Sequence, residues 1–268
     1  MKVTSESLFH FTSSIQNLEN ILKNKFYLTY CKEEYTLGLQ PHRSYFPMIS
    51  FCDIPLSLAK EQISKYGGYA IGLSKEWGIA NKLNPVLYLE SNSIITNDIN
   101  NTRKEITKMA KILGVIAKKK GTPALIEEMH KLADGLSQLT DIYINTLRFI
   151  KNYRGKLDRG KKVINDYRFY DEREWRYVPE YNDTRIKSAI SPTEYLEYRG
   201  KSKAKPLLKG INIGFMALDV KYLIVKSKKD IPRLIRTIKS TNNLVRNPDE
   251  ADILATNIMT VEQLNDDF

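Results

Sequence analysis

Between residues 125 and 150 the apolar side chains Leu125, Met129, Leu132, Leu136, Leu139, Tyr143, Leu147 and Ile150 recur at intervals of three or four. Only an α-helix returns that spacing to a single face, so this stretch commits the middle of the chain to a long helix. Thr122 offers a cap and Pro123 a first-turn residue, which together set its start. Residues 103–118 also carry a helical pattern, with Lys118, Lys119 and Lys120 at the turn between the two. The expectation is a helical hairpin whose apolar stripe is taken up in packing, preceded by an Asn/Ser-rich linker over residues 92–102.

The elements on either side are short and mixed. Residues 8–12 read as a strand containing His10, Ser13 or Ser14 can cap a helix with Ile15, Leu18, Ile21 and Leu22 on its apolar face, and residues 26–30 read as a strand. Gly38, Pro41 and Pro47 mark a polar, turn-rich loop. A strand is expected at residues 48–52, then a helix opened by Asp53 and Pro55 and ended by Gly67 and Gly68, then strands at 69–73 and 85–89. Beyond the hairpin, strands are expected at 168–170, 174–178, 211–215, 222–225 and 253–259, with a short helix capped by Asp230. The pattern is an α+β fold in which residues 99–163 form a basic helical insertion between core parts 1–98 and 164–268.

Net charge is +11 over 268 residues, and residues 103–162 hold 15 Lys/Arg against 6 Asp/Glu. A basic excess concentrated in so little chain favours a polyanion through counterion release, with nucleic acid first and acidic protein second. Lys118, Lys119, Lys120, Lys151, Arg154, Lys156, Arg159, Lys161 and Lys162 are the candidate contacts; the same run is also what a solvated helix face looks like. Cys31 and Cys52 are too few and too far apart for a disulfide scaffold, and His10, His42 and His130 are scattered, so no metal site is expected. No segment has the length of a membrane span and no secretory leader is evident, which points to a cytoplasmic protein without membrane contact.

In the stretch DEREWRYVP, residues 171–179, Glu172 and Glu174 stand two apart in what reads as a strand. Side chains at that spacing share a face, with Arg173, Trp175 and Tyr177 on the other. A carboxylate pair aimed into a cleft can stabilise a cationic sugar transition state, and it is equally what an exposed, salt-bridged strand end presents. His10 on an apolar strand can be a core histidine, Asp53 a helix cap or a ligand, and Tyr66 is one of 16 tyrosines.

The segments LFHFTSSIQNLENILKNKFYLTY, ISFCDIPLSLAKEQISKYGGYAIGLSKEWG and DEREWRYVP, in this order, resemble the AbiGi family of bacterial abortive-infection phage-resistance proteins. That family is described as the antitoxin-like partner of a two-protein system. The layout is also similar to ADP-ribosyltransferases of the His-Tyr-Glu kind, which implies a split β-sheet core with an inserted helical hairpin and NAD as substrate. By this resemblance His10 would bond the adenosine-side ribose, Phe11 with Thr12 would grip the nicotinamide amide, and Tyr66 would stack on the nicotinamide. Glu174 would hold the ribose 2′-hydroxyl and steady the oxocarbenium, and Glu172 would orient the nucleophile. Ser50, flanked by Phe51, stands where the first tyrosine of such enzymes is usual. The resemblance thus implies either an ADP-ribosyltransferase in phage defence, with nucleic acid as acceptor, or an inactive descendant that binds as an antitoxin or nucleic-acid sensor. A cognate toxin or antitoxin protein is the implied partner.

Overall fold

Ser14 and Ser93 show how local chemistry starts the helices of this chain, seen in a computed structural model that describes residues 5–119, 121–158, 163–180, 183, 185–200 and 207–267. After β1 (Ser7–Thr12), the Ser14 hydroxyl accepts the Asn17 N–H at 3.2 Å and opens α1 (Ile15–Asn24). The next two strands, β2 (Phe26–Leu37) and β3 (Gln40–Cys52), form one long antiparallel hairpin with Leu37 opposite Gln40.

This hairpin replaces the loop expected through Gly38, Pro41 and Pro47. Gly38 turns the chain at φ +60°, and a Cβ there would lie 2.5 Å from Asn97 Oδ1, so glycine answers both the turn and the neighbouring helix. The prolines survive through parity. Tyr45 directs its N–H and C=O outward to Ile190, each at 3.0 Å, and Pro41 and Pro47 lie an even number of residues away on the same outward side. Neither removes a hydrogen bond from the ladder to β2.

A 3-10 turn at Leu56–Leu58 leads into α2 (Ala59–Tyr66), which ends at Gly67 as expected. Then follow β4 (Tyr69–Ser74), α3 (Lys75–Ala80), β5 (Asn84–Pro85) and β6 (Leu87–Leu89), so the strand expected at 85–89 is two fragments. The expected linker at 92–102 is helix instead. Ser93 accepts the Thr96 N–H at 3.3 Å while Thr96 Oγ1 accepts the Ser93 N–H at 2.9 Å, a capping box that opens α4 (Ile94–Ile116). Helix α5 (Pro123–Leu147) starts at Thr122 and Pro123 and packs against α4 as a hairpin.

The apolar stripe of α5 is only partly covered. Leu136 and Leu147 are buried, but Leu125, Leu132 and Leu139 are 50%, 62% and 50% exposed, contrary to the expectation that packing consumes them.

The chain returns through β7 (Ile150–Asn152), parallel to β6, and a small hairpin of β8 (Arg154–Asp158) and β9 (Val163–Arg168). Residues Phe169–Glu172 form a 3-10 turn rather than strand, and β10 (Glu174–Tyr177) follows. The remainder is α6 (Pro192–Arg199), β11 (Leu207–Ile213), β12 (Val220–Val225), α7 (Ile231–Lys239), α8 (Pro248–Thr256), β13 (Ile258–Thr260) and α9 (Val261–Asp267). Residues 253–256, expected in the last strand, belong to α8. The Asp230 side chain does not cap α7 but accepts the Ser227 N–H at 3.3 Å.

The result is an α+β fold on a mixed sheet of order β11-β2-β3-β1-β4-β12-β13, parallel only at β12–β13. Alternate side chains feed two cores: Leu8, Ile71 and Leu223 face α1 and α7, whereas Phe9, Ala70 and Ile224 pack with Leu264 on the other side. At Met48 strand β3 changes partner. Its ladder with β2 stops there, and β10 takes over opposite Ile49–Cys52, with Glu174 opposite Cys52.

Candidate ligand cleft

That change of partner sets a cleft of about 1020 Å³ between β1, α1, β2, β3 and the end of α2. His10, Phe11, Thr12, Ser50, Phe51, Tyr66, Glu172 and Glu174 all line it, so residues far apart in sequence meet in one space. His10 Nδ1 lies 2.9 Å from the Ser50 carbonyl, which makes that nitrogen the donor, and its ring packs against Phe26 and Phe51. The Thr12 hydroxyl accepts from Asn17 Nδ2 at 2.9 Å.

Glu172 and Glu174 do not share a strand face as expected, because Glu172 closes the 3-10 turn and Arg173 has φ +44°. They converge all the same, through a cation. Lys151 Nζ lies 2.7 Å from Glu174 Oε2 and 3.3 Å from Glu172 Oε2. Tyr66 donates to Glu172 Oε1 at 2.5 Å, tying the end of α2 to the turn.

Glu174 is 4% exposed and holds four donors. Ser50 Oγ reaches its Oε1 at 2.6 Å, Arg176 Nε reaches the same oxygen at 2.7 Å, and Arg176 Nη2 lies 3.1 Å from Oε2, where Lys151 also bonds. Arg176 is fully buried and spends its remaining capacity on the Arg148 carbonyl at 2.7 Å and on Glu33 at 3.2 Å. Three carboxylates therefore meet two cations.

Burial pushes the Glu174 carboxyl up, but the Arg176 and Lys151 charges outweigh it and hold the group well below the usual carboxylate range. Burial likewise pulls Lys151 down, and Glu174 and Glu172 more than reverse this, so Lys151 stays charged. Cys52 is the opposite case: burial, with Glu172 and Glu174 adding to it, pushes the thiol well up and leaves it neutral and unreactive.

Sequence reasoning missed Arg176 and misread Lys151. Arg176 stands two residues after Glu174 on a strand, the spacing that puts both on one face, so its signal was present. Lys151 had been grouped with the basic ends of the insertion, yet its side chain is 13% exposed and inside the cleft. The other described members of that group do not form one patch. Lys118 and Lys119 are exposed at the tip of a hairpin whose 23-residue first helix is about 35 Å long, while Arg154, paired with Asp166 at 3.1 Å, and exposed Lys156 follow the other end. Lys120, Arg159, Lys161 and Lys162 lie outside the described residues. The Asp53 side chain caps neither the 3-10 turn nor α2; it pairs with Lys75 at 2.9 Å.

Among the described residues no group of three or more His, Cys, Asp or Glu is placed to hold a metal. Nor, among them, is any helix long and apolar enough to cross a membrane.

Residues 24–226 match the family described as "Putative abortive phage resistance protein AbiGi, antitoxin". An abortive phage resistance protein AbiGi of Lactococcus lactis subsp. cremoris is 28% identical over 237 residues, covering 84% of this chain and 89% of that protein. No solved structure matches the chain. With the family match spanning most of the chain, from α1 to β12 and including the hairpin and the cleft carboxylates, this protein belongs to the AbiGi family of abortive phage resistance proteins.

Proposed function

We propose that the cleft binds a nucleotide, with an NAD-like dinucleotide first, without turning it over, and that the chain is the antitoxin-type member of a phage-defence pair. The carrying observation is the state of Glu174. A carboxylate that steadies an oxocarbenium must offer an oxygen to the ribose 2′-hydroxyl at the reacting sugar. Here each oxygen already accepts two donors, which uses the in-plane capacity of the group. Two cations in contact with it also weaken the negative field that a sugar cation would need. In this reading His10, Phe11, Thr12, Ser50, Phe51 and Tyr66 supply ligand contacts around a cleft of dinucleotide size, and Ser50, in place of a stacking tyrosine, fixes Glu174. The family description supports a toxin protein as the partner.

A second reading, an NAD-dependent ADP-ribosyltransferase with a split-sheet core and a nucleic-acid acceptor, is favoured by the convergence of His10, Glu172 and Glu174 on one cleft. It requires Lys151 to leave Glu174. Calorimetric titration with NAD, followed by chromatography of the mixture with and without nucleic acid, separates the two. Saturable binding with no nicotinamide released is the expected result. Release that disappears in Glu174→Gln transfers the choice to the enzyme, and absence of NAD binding by the folded chain removes dinucleotide from both.

A further inference from the structure

Three lysines and three glutamates line the cleft, and all but one of these charges are answered by an opposite one. Lys151 holds Glu172 and Glu174, Arg176 holds Glu33 at 3.2 Å, and Lys32 pairs with Glu34 at 2.9 Å. The exception is Lys25. Among the described residues its ammonium has neither an ion pair nor a hydrogen bond, so this is the lining charge left over for a ligand.

Lys25 is also built into its place. It caps the end of α1 at φ +67° and ψ −174°, a backbone region that a Cβ disfavours and that glycine otherwise fills. A chain with lysine at this point keeps a side chain against the preference of its own backbone. The stem of that side chain lies on Gly214, where an added Cβ would come within 2.9 Å of Lys25 Cδ and 3.0 Å of Nζ. The ammonium is thus partly buried and directed by its surroundings.

The neighbours decide on which side it takes an anion. Away from the cleft, Lys25 borders a smaller cavity of about 480 Å³ whose lining includes Glu76 and Asp219, and among the described residues neither carboxylate is ion-paired. An anion there would be repelled. Buried Phe26, packed on His10 of the cleft at 5.2 Å and on Phe215 of the smaller cavity at 5.3 Å, separates the two spaces. On the cleft side stand Asn20 and Asn24, one turn apart on α1, whose exposed amides can donate. We propose that Lys25, with Asn20 and Asn24 beside it, is the phosphate subsite of the cleft, so that the ligand is a phosphorylated nucleotide whose phosphate sits at the end of α1. The proposal deepens the nucleotide reading of the cleft and rests on it for the identity of the ligand. An uncharged nucleoside would leave Lys25 unanswered.

Calorimetric titration of the full chain with inorganic pyrophosphate and with NAD tests it. The wild type should bind both saturably. Lys25→Met keeps the stem and removes the charge, and should weaken each by roughly tenfold or more, the worth of a charge-assisted hydrogen bond. Gly214→Ala keeps Lys25 but sets a methyl group against its stem, and should weaken pyrophosphate as well. Lys25→Gly should melt above the wild type, because it relieves the backbone, and yet bind pyrophosphate no better than Lys25→Met, which separates lost binding from lost fold. Pyrophosphate binding that is absent from the wild type, or equal in the wild type and Lys25→Met, overturns the subsite. NAD bound equally by those two proteins also overturns it and leaves the dinucleotide reading standing. Pyrophosphate held through Lys25 by a chain that does not bind NAD upholds the subsite and removes the dinucleotide.

Discussion

The cleft and the hairpin solve opposite problems. In the cleft, five charged side chains are withdrawn from water, and Glu174, Arg176 and Lys151 are held by hydrogen bonds within 3.3 Å. On the hairpin, aliphatic side chains stand in water beside ion pairs only one turn long. One region is saturated and the other is unfinished. The difference teaches that the first is fixed by the chain's own partners and the second by something outside it. They are also joined, because α5 runs through buried Arg148 into β7, the strand that delivers Lys151 to the carboxylates.

Removing the buried guanidinium should break the saturated region most. Arg176→Met leaves Glu174 and Glu33 short of a cation in a dry site, and an unfolding free energy lower by about 3 to 5 kcal/mol is expected from denaturant titration. A loss no larger than that of a surface substitution would mean that the cluster is wetter than its geometry implies.

Lys151→Met should cost less, about 1 to 3 kcal/mol, because Arg176 still grips Glu174 and Tyr66 still donates to Glu172. It also opens Glu174 Oε2. Nicotinamide release from NAD by this variant and not by the wild type would sharpen the comparison, since the return strand of the hairpin would then be what keeps the cleft silent. Equal silence in both proteins places the block at Arg176 and Ser50.

How much of this was legible follows from how local each signal is. The strand with His10, the helix opened by Ser14, the turn at Gly67 and the start of α5 were readable because caps, glycines and periodicity act within a few residues. The β2–β3 hairpin was not, because Pro41 and Pro47 signal a loop unless the outward parity set by Tyr45 is known, and parity is a property of the sheet. Periodicity located α5 and its apolar stripe as far as Leu147, but Ile150 belongs to β7 and the stripe is only partly covered, which the pattern could not say. Charge counting placed Lys151 with the basic run, whereas its position is decided by Glu172 and Glu174 some 20 residues on, and only packing brings those together.

The smallest effect belongs to the hairpin tip. Replacing Lys118 and Lys119, both exposed, with Gln should change unfolding free energy by no more than about 0.5 kcal/mol, as for exposed side chains generally. If nucleic acid binds there, the log-log salt slope of its affinity should flatten by roughly two units. An unchanged slope returns these charges to solubility and leaves the hairpin to its apolar face.

The central claim is that Glu174 is locked as an anion between Arg176, Lys151 and Ser50, and its titration in the folded protein tests this most directly. Carboxyl-labelled glutamate, with Glu174→Gln used to assign the resonance, reports the protonation of this one group by NMR. A carboxyl whose folded pKa is depressed contributes stability that is present above its unfolded value of about 4.3 and is lost as the pH falls through the folded value. Lys151, raised on folding, contributes below about 10.4 and loses that contribution only as the pH rises through its own folded value. The account predicts a Glu174 signal that stays ionised through the range where ordinary glutamates titrate, down to acid unfolding. A folded protein in which Glu174 titrates near 4.3 would contradict it, because the carboxylate would then be open enough to serve a reacting sugar.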